Sequence, residues 1–155
     1  MFIYPMSVQS PTKTRSRQAR PVALMPPALP LPLYTSRIAA GFPSPADDHL
    51  EAPLDLNEHL VKHPAASFVV RVDGDSMAGA GIYAGDLLVV DRSLEAKSGS
   101  IVVAVVNGEL TVKRLWMRNR CVRLVPENLA YRPIEIGDFS ELVVWGVVAH
   151  VIRSY

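Results

Sequence analysis

The sequence has a single cysteine, Cys121, in 155 residues. One thiol excludes an internal disulfide framework and a zinc site built from several cysteines, and it suits a reducing compartment. An excess of one charge is also missing, because 16 basic residues against 15 acidic ones give a formal net charge of +1. No apolar run approaches the roughly 20 residues that a membrane-spanning helix needs. We therefore expect a cytoplasmic protein with no membrane anchor and no direct sequence-specific DNA binding.

The first 40 residues lack acidic side chains and glycine, while they carry five basic residues. Ten of the 13 prolines fall within the first 53 residues. Prolines remove amide donors and push the preceding residues toward extended geometry, so residues 1–40 are predicted to form an extended, flexible, proline-rich basic arm. Residues 41–155 hold the other 11 basic residues and all 15 acidic ones, a balance of −4, and their length suits one compact domain.

From residue 67 onward the body is rich in β-branched runs separated by glycine, asparagine, aspartate and proline, a pattern typical of strands. The predicted strands are Ser67 to Val72, Asp86 to Asp91, Ser100 to Val106, Glu109 to Leu115, Cys121 to Val125 and Leu142 to Ile152. One short helix is predicted over Asp55 to His63, which has an acidic start and a basic end before Pro64. The body is thus predicted to be mainly β, with a curled, partly closed sheet and one short helix.

A hairpin turn at Asn107-Gly108 sets the environment of Lys113. Asn-Gly supplies the two positive-φ residues of a two-residue type I′ turn, and the resulting register places Lys113 opposite Val102 and diagonally near Ala104. Apolar neighbours disfavour the charged amine, and lowering a lysine pKa from about 10.4 to roughly 7 or 8 takes on the order of 4 kcal/mol of desolvation. A neutral Lys113 could accept the proton of a serine hydroxyl.

Two further features are weak when each is taken alone. Ser76 lies in the run Gly74 to Met77 after a predicted strand, and a serine in such a turn is more often a cap than a nucleophile. Ala40-Gly41 joins the arm to the body. Lys113 taken alone is also weak evidence, because lysines on hairpin strands are usually solvated. None of these residues identifies a catalytic site by itself.

Six segments together carry a resemblance to a known family. They are Gly41 to Asp47, Asp55 to Asn57, Gly74 to Met77, Gly85 to Asp91, Gly108 to Lys113 and Gly146 to Val151. From about Leu29 to Val151 the chain resembles the UmuD group of SOS-mutagenesis subunits, within the LexA-like family of self-cleaving Ser-Lys peptidases. The resemblance is specific, because the serine and the lysine each lie within their own matching motif, with a pair of small residues upstream.

The resemblance implies a role for each of these residues. Ser76 would be the nucleophile, Lys113 the general base, and Ala40-Gly41 the peptide bond that the protein cuts in its own chain. The backbone N–H of Ser76 and that of Met77 are our candidates for stabilising the oxyanion. Small residues on both sides of the bond would let the strand enter a narrow cleft. No cofactor and no metal ion is expected.

The resemblance also implies partners. RecA assembled on single-stranded DNA would promote the cut, and the trimmed body would form a homodimer that serves a UmuC-type polymerase in translesion synthesis. Residues Leu31 to Tyr34 lie where the arm of this family is thought to contact the replication clamp. One departure is Ala40, because UmuD proteins usually have cysteine before the scissile glycine, whereas alanine is familiar from LexA and phage repressors.

Other functions are weighed against this one. A LexA-type repressor is disfavoured because residues 1–40 offer no pair of helices for a helix-turn-helix, and a membrane signal peptidase is disfavoured for want of an apolar anchor. A non-catalytic accessory subunit with the same fold stays open. His59 and His63 are interpreted as surface residues rather than metal ligands.

The cysteine and the tryptophans receive structural interpretations. Cys121 is expected to be packed or half-buried in an apolar strand, without the electropositive surroundings that a reactive thiolate needs. Trp116 and Trp145 are expected to fill the core or the dimer face rather than stack on bases.

Overall fold

The computed structural model describes residues 28–34, 50–137 and 140–155. In these ranges the strands are β1 (Pro30–Leu31), β2 (Leu54–Asp55), β3 (Ser67–Arg71), β4 (Leu87–Asp91), β5 (Ile101–Val106), β6 (Glu109–Arg118), β7 (Cys121–Val125), β8 (Ile134–Ile136) and β9 (Leu142–Ile152). The helix α1 spans Leu56–Leu60, and a single 3-10 turn spans Ala78–Ala80. Most of the predicted arm, including the Ala40-Gly41 bond, lies outside the described residues.

Seven strands form one antiparallel sheet in the order β3-β4-β9-β5-β6-β7-β8. The edge strands β3 and β8 do not pair with each other, so the sheet is not closed. Within the described ranges α1 is the only α-helix. The prediction of a mainly β body with one short helix is confirmed. The short strands β1 and β2 form a separate two-stranded ladder.

The β5-β6 hairpin has the predicted register. Asn107 and Gly108 have φ angles of 49° and 85°, as a type I′ turn requires. The pairing from Val106 with Glu109 back to Val102 with Lys113 follows from that turn. The sequence therefore predicted correctly which strand residue lies opposite the lysine.

The helix and strand β8 differ from the prediction, whereas β9 has the predicted bounds. Asp55 caps α1 by accepting a hydrogen bond from the Asn57 N–H at 2.9 Å, but the helix ends at Leu60 because Val61 leaves helical geometry with φ −127°. A β-branched residue shortly before Pro64 disfavours a further turn. Strand β8 was not predicted, since its three residues are too short a run to show alternation.

The core consists of two buried clusters. One contains Val72, Met77, Ile82, Leu88, Val90 and Val103. The other contains Val102, Ala104, Val106, Leu115 and Leu124. The first cluster includes Met77, the residue after Ser76, whose side chain is only 1% exposed. Burying a methionine contributes about 1.5 to 3 kcal/mol, which anchors the Ser76 turn to the sheet.

The expected burial of Cys121 is wrong, because this side chain is exposed. Cys121 is the first residue of β7 and pairs with Arg118 next to the β6-β7 turn, where the sheet ends and little packs over it. Neither tryptophan belongs to the two buried clusters. Trp116 is half-buried, with the Arg123 guanidinium 4.8 Å from its ring centre, and Trp145 is 40% exposed.

Candidate active site

The structure brings Ser76 and Lys113 into direct contact. Lys113 lies in the middle of β6, and Ser76 lies in the turn between β3 and the 3-10 turn. The distance from Lys113 Nζ to Ser76 Oγ is 2.8 Å, a hydrogen bond between residues far apart in sequence. Lys113 is 8% exposed, and Ser76 is half-buried. A hydroxyl and a nearly enclosed amine therefore share one site.

Burial lowers the pKa of Lys113 below its ordinary value of 10.5. The amine has two contacts besides Ser76: Thr111 Oγ1 at 2.8 Å and the Val112 carbonyl oxygen at 3.0 Å. A neutral amine has two N–H donors and one lone pair, so it can donate to Thr111 and Val112 while accepting the Ser76 proton. The three contacts are compatible with the neutral amine, and equally with an ammonium that donates to all three oxygens.

Thr111 is a site residue that the sequence analysis missed. It lies two positions before Lys113 on β6, so both side chains fall on one face of the strand. The pairing that follows from the Asn107-Gly108 turn places Thr111 opposite Ala104, so alternation along the strand could have identified it as a neighbour of the amine.

Two glycines shape the turn that presents Ser76. Gly74 has φ 84° and Gly81 has φ 77°, a region of backbone geometry that favours glycine. Between them, the N–H of Ala78 donates to the Asp75 carbonyl at 3.0 Å. The buried side chain of Met77 holds the turn on the sheet, so that the Ser76 hydroxyl faces the amine.

The backbone N–H groups of Ser76 and Met77 donate no hydrogen bond to any part of the chain that the structure describes. They are consecutive, and one belongs to the residue that carries the hydroxyl. Free amide donors beside a nucleophile are what a developing oxyanion requires. The two groups nominated from the sequence are thus available for that role.

A segment after β7, residues 127–131, contacts the Ser76 turn and was not predicted. The Glu127 N–H donates to the Ser76 carbonyl at 2.8 Å, and the Gly79 N–H donates to the Glu127 carbonyl at 2.6 Å. The Tyr131 hydroxyl donates to Asp75 Oδ1 at 2.5 Å, which raises the pKa of Tyr131 above its ordinary value. No local sequence pattern predicts contacts between a turn and a loop about 50 residues away.

An open cleft of about 220 Å³ leads to the Ser76-Lys113 pair. Its walls come from the end of β3 and from the first half of β6, and its lining includes Val70, Arg71, Asp73, Leu110 and Val112. Strand β3 is a sheet edge, paired only with β4 among the described strands. A free edge beside the hydroxyl can accept an extended peptide as an added strand.

The Ala40-Gly41 bond lies outside the described residues, but the chain on both sides of it is paired. Leu31 pairs with Leu54, and Tyr34 forms a bridge to Leu50. The Glu51 N–H donates to the Leu33 carbonyl at 2.8 Å. The segment that contains the bond therefore lies between two stretches of chain that pair with each other in antiparallel fashion.

The two histidines of the helical region have separate partners. His63 Nδ1 lies 2.6 Å from Asp91 Oδ2, and the His59 ring lies 5.8 Å from the His150 ring. Among residues 28–34, 50–137 and 140–155 no group of three or more histidine, cysteine or acidic residues could hold a metal ion. In the same ranges no helix has both the length and the apolar character to cross a membrane.

The chain belongs to the Peptidase S24-like family, which it matches over residues 32–149. Its class is therefore that of the self-cleaving serine peptidases. Within this class the chain is UmuD-like. It is 49% identical over 126 residues to Protein MucA of Salmonella typhimurium, covering 81% of this chain and 86% of that protein. The family resemblance seen in the sequence is confirmed.

Two further relatives support the assignment. Protein SamA of Salmonella typhimurium is 47% identical over 123 residues, covering 79% of this chain and 85% of that protein. The LexA repressor of Shewanella denitrificans is 42% identical over 127 residues, covering 81% of this chain and 61% of that protein. The similarity to LexA thus leaves more than a third of that repressor unmatched.

Proposed function

We propose that this protein cuts its own Ala40-Gly41 bond, with Ser76 as the nucleophile and Lys113 as the general base. The observation that carries the proposal is the 2.8 Å hydrogen bond between Lys113 Nζ and Ser76 Oγ, made by a buried lysine that lines the cleft. An amine with a lowered pKa activates a serine without histidine or aspartate.

Bond making and breaking follow from these contacts. Ser76 Oγ attacks the Ala40 carbonyl carbon as its proton passes to Lys113 Nζ, and the N–H groups of Ser76 and Met77 stabilise the oxyanion. The protonated amine then gives its proton to the departing Gly41 nitrogen, which leaves an ester on Ser76. Water, deprotonated by the same amine, hydrolyses that ester and restores the hydroxyl, so one water is consumed for each cut.

The cleft and the edge of β3 would bind the substrate segment. An extended strand added to β3 places its backbone along the wall that ends at Ser76. Glycine after the bond and alanine before it keep that strand narrow. Because the substrate is part of the same molecule, its effective concentration is high, and docking of the segment can set the rate.

Cleavage would separate residues 1–40 from a body of residues 41–155. In the SOS setting suggested by the similarity to the LexA repressor and to UmuD-like proteins, we propose that RecA on single-stranded DNA promotes the cut. The trimmed body would then form a homodimer that serves as accessory subunit of a UmuC-type translesion polymerase. The arm residues Leu31 to Tyr34 are a candidate contact for the replication clamp.

The test is mass spectrometry of the full-length protein incubated at about pH 10, where more of the lysine is neutral. We expect a fragment that begins at Gly41. Ser76→Ala should abolish it, whereas Ser154→Ala, at an exposed serine, should not. Lys113→Arg keeps the positive charge but cannot supply a neutral amine, so it should also be inactive.

A second arm adds RecA, ATP and single-stranded DNA at neutral pH, where the cut should accelerate. Cleavage at another bond, or normal cleavage by Lys113→Arg, would overturn the proposed chemistry. Cleavage at about pH 10 without RecA, combined with no acceleration by RecA at neutral pH, would support the chemistry and refute the proposed partner.

A further inference from the structure

We propose that residues 127–131 form a positioning segment that fixes the Ser76 turn against β6, with Asn128 and Tyr131 acting through Asp75; this inference rests on the proposed self-cleavage. None of these residues reaches the reacting atoms. Their effect would be to set the distance and angle between the hydroxyl and the amine.

The first support is the distribution of hydrogen bonds around Ser76. Within the described part of the chain, residues 74–80 form few hydrogen bonds to distant residues. One of them joins Ser76 to Lys113. Every other one ends on Glu127, Asn128 or Tyr131. Asn128 Nδ2 donates to the Asp75 carbonyl at 3.1 Å and lies 3.3 Å from Asp75 Oδ2. Just after this stretch, Arg153 Nη2 donates to the Gly81 carbonyl at 2.8 Å.

The second support is that the same segment is attached to the strand of the amine. Arg114 follows Lys113 on β6, and its Nε donates to Glu127 Oε1, while its Nη1 donates to the Gly99 carbonyl at 2.7 Å. Contacts therefore run in a closed ring from Lys113 to Ser76, through the backbone of Glu127, and back to β6 through Arg114. A closed ring restrains the distance between the hydroxyl and the amine from both sides.

The third support is the close approach of Gly79 to the segment. A Cβ built on Gly79 would lie 2.4 Å from the Glu127 carbonyl oxygen, well inside van der Waals contact. Only glycine permits the 2.6 Å hydrogen bond between the two backbones. The turn and the segment are thus fitted to each other at the level of the main chain.

The contact between Asp75 and Tyr131 should affect the rate of cleavage more than the free energy of unfolding. Both residues are exposed, so their hydrogen bond contributes little to the free energy of unfolding. Reaction rates are far more sensitive, since a misplacement of about 1 Å can lower a rate about 100-fold. Loss of this contact should therefore slow cleavage much more than it destabilises the fold.

The experiment compares Tyr131→Phe and Asn128→Ala with Tyr83→Phe, a matched control at another exposed tyrosine. Full-length chains are followed by first-order cleavage rates across pH, by thermal unfolding, and by labelling of Ser76 with a fluorophosphonate probe, which needs no docked segment. We expect Tyr131→Phe and Asn128→Ala to cleave and label about 10 to 100 times more slowly. The midpoint of the pH profile should move little, because the burial that lowers the pKa of Lys113 is retained in these variants.

A double-variant comparison tests whether Asp75 and Tyr131 act through one contact. Asp75→Asn combined with Tyr131→Phe should cost little more than either change alone. The inference is overturned if wild type cleaves while both variants stay within twofold of Tyr83→Phe, or if the loss is proportional to unfolding. If wild type neither cleaves nor labels at Ser76, the proposed function fails instead, and the positioning role fails with it.

Discussion

Placing a carboxylate beside Lys113 should move the pH dependence of self-cleavage without removing the chemistry. Thr111 Oγ1 lies 2.8 Å from Lys113 Nζ, so Thr111→Asp puts a negative charge next to the amine. Two unit charges about 4 Å apart interact by about 4 kcal/mol at an effective dielectric constant near 20. That energy corresponds to about three pKa units, and carboxylate neighbours typically shift a pKa by about one to three.

The sign of the effect follows from which form of the amine is active. Burial lowers the pKa of Lys113, and in the proposed mechanism the neutral amine is the base, so the cleavage rate should rise about tenfold per pH unit until that pKa is passed. The carboxylate favours the ammonium form and raises the pKa. Thr111→Asp should therefore cleave about 10 to 1000 times more slowly at neutral pH and regain most of the rate at high pH.

The assay is the first-order rate of appearance of the fragment beginning at Gly41, from about pH 6 to about pH 10.5. Thr111→Asn is the matched control, because it has the same shape as the aspartate without its charge. Arg71 and Asp73 also line the cleft, but they are unchanged in every variant and do not affect the comparison. Equal pH profiles for the aspartate and asparagine variants would refute the assignment of Lys113 as the base.

Two predictions concern stability. Gly146→Ala brings a Cβ within 2.8 Å of the Asp91 carbonyl oxygen and should lower the free energy of unfolding by about 1 to 3 kcal/mol in urea titrations, whereas Gly137→Ala, which meets open space, should change it little. A large loss in both would contradict this packing argument. Hydrogen bonds from Arg153 lower the pKa of Asp86 from 3.8 to about 2, so its stabilising effect is present above pH 3.8 and is lost as the pH falls toward 2. Asp86→Asn should reduce the acid dependence of Tm over that range, and an unchanged slope would refute the role of this pair.

The sequence predicted the part of the site that depends on local geometry. Asn107-Gly108 determines its own turn, and because side chains alternate along a strand, the environment of Lys113 follows from counting residues. The proximity of Ser76 could not be counted in this way, since it depends on how the β3-β4 connection folds back over β6. Resemblance to a family supplied that contact, and the geometry supports it.

Structural features that have no repeating sequence pattern could not be predicted from the sequence. The contacts of residues 127–131 join a turn to a loop across about 50 residues, and no periodicity marks them. Strand β8 has three residues and gives no alternation. Cys121 sits in an apolar run but at the end of a hairpin, where a strand's composition says little about what covers its side chains.

The weakness of the pairing between residues 30–34 and 50–55 should make the proposed cut irreversible. While the chain is intact, the two strands are joined covalently and find each other at high local concentration. After the cut, the same few contacts would have to hold two separate polypeptides at cellular dilution, and an isolated two-stranded pairing is marginal even when connected. The released residues 1–40 should therefore diffuse away. The cut bond then cannot form again, and each molecule cleaves itself only once.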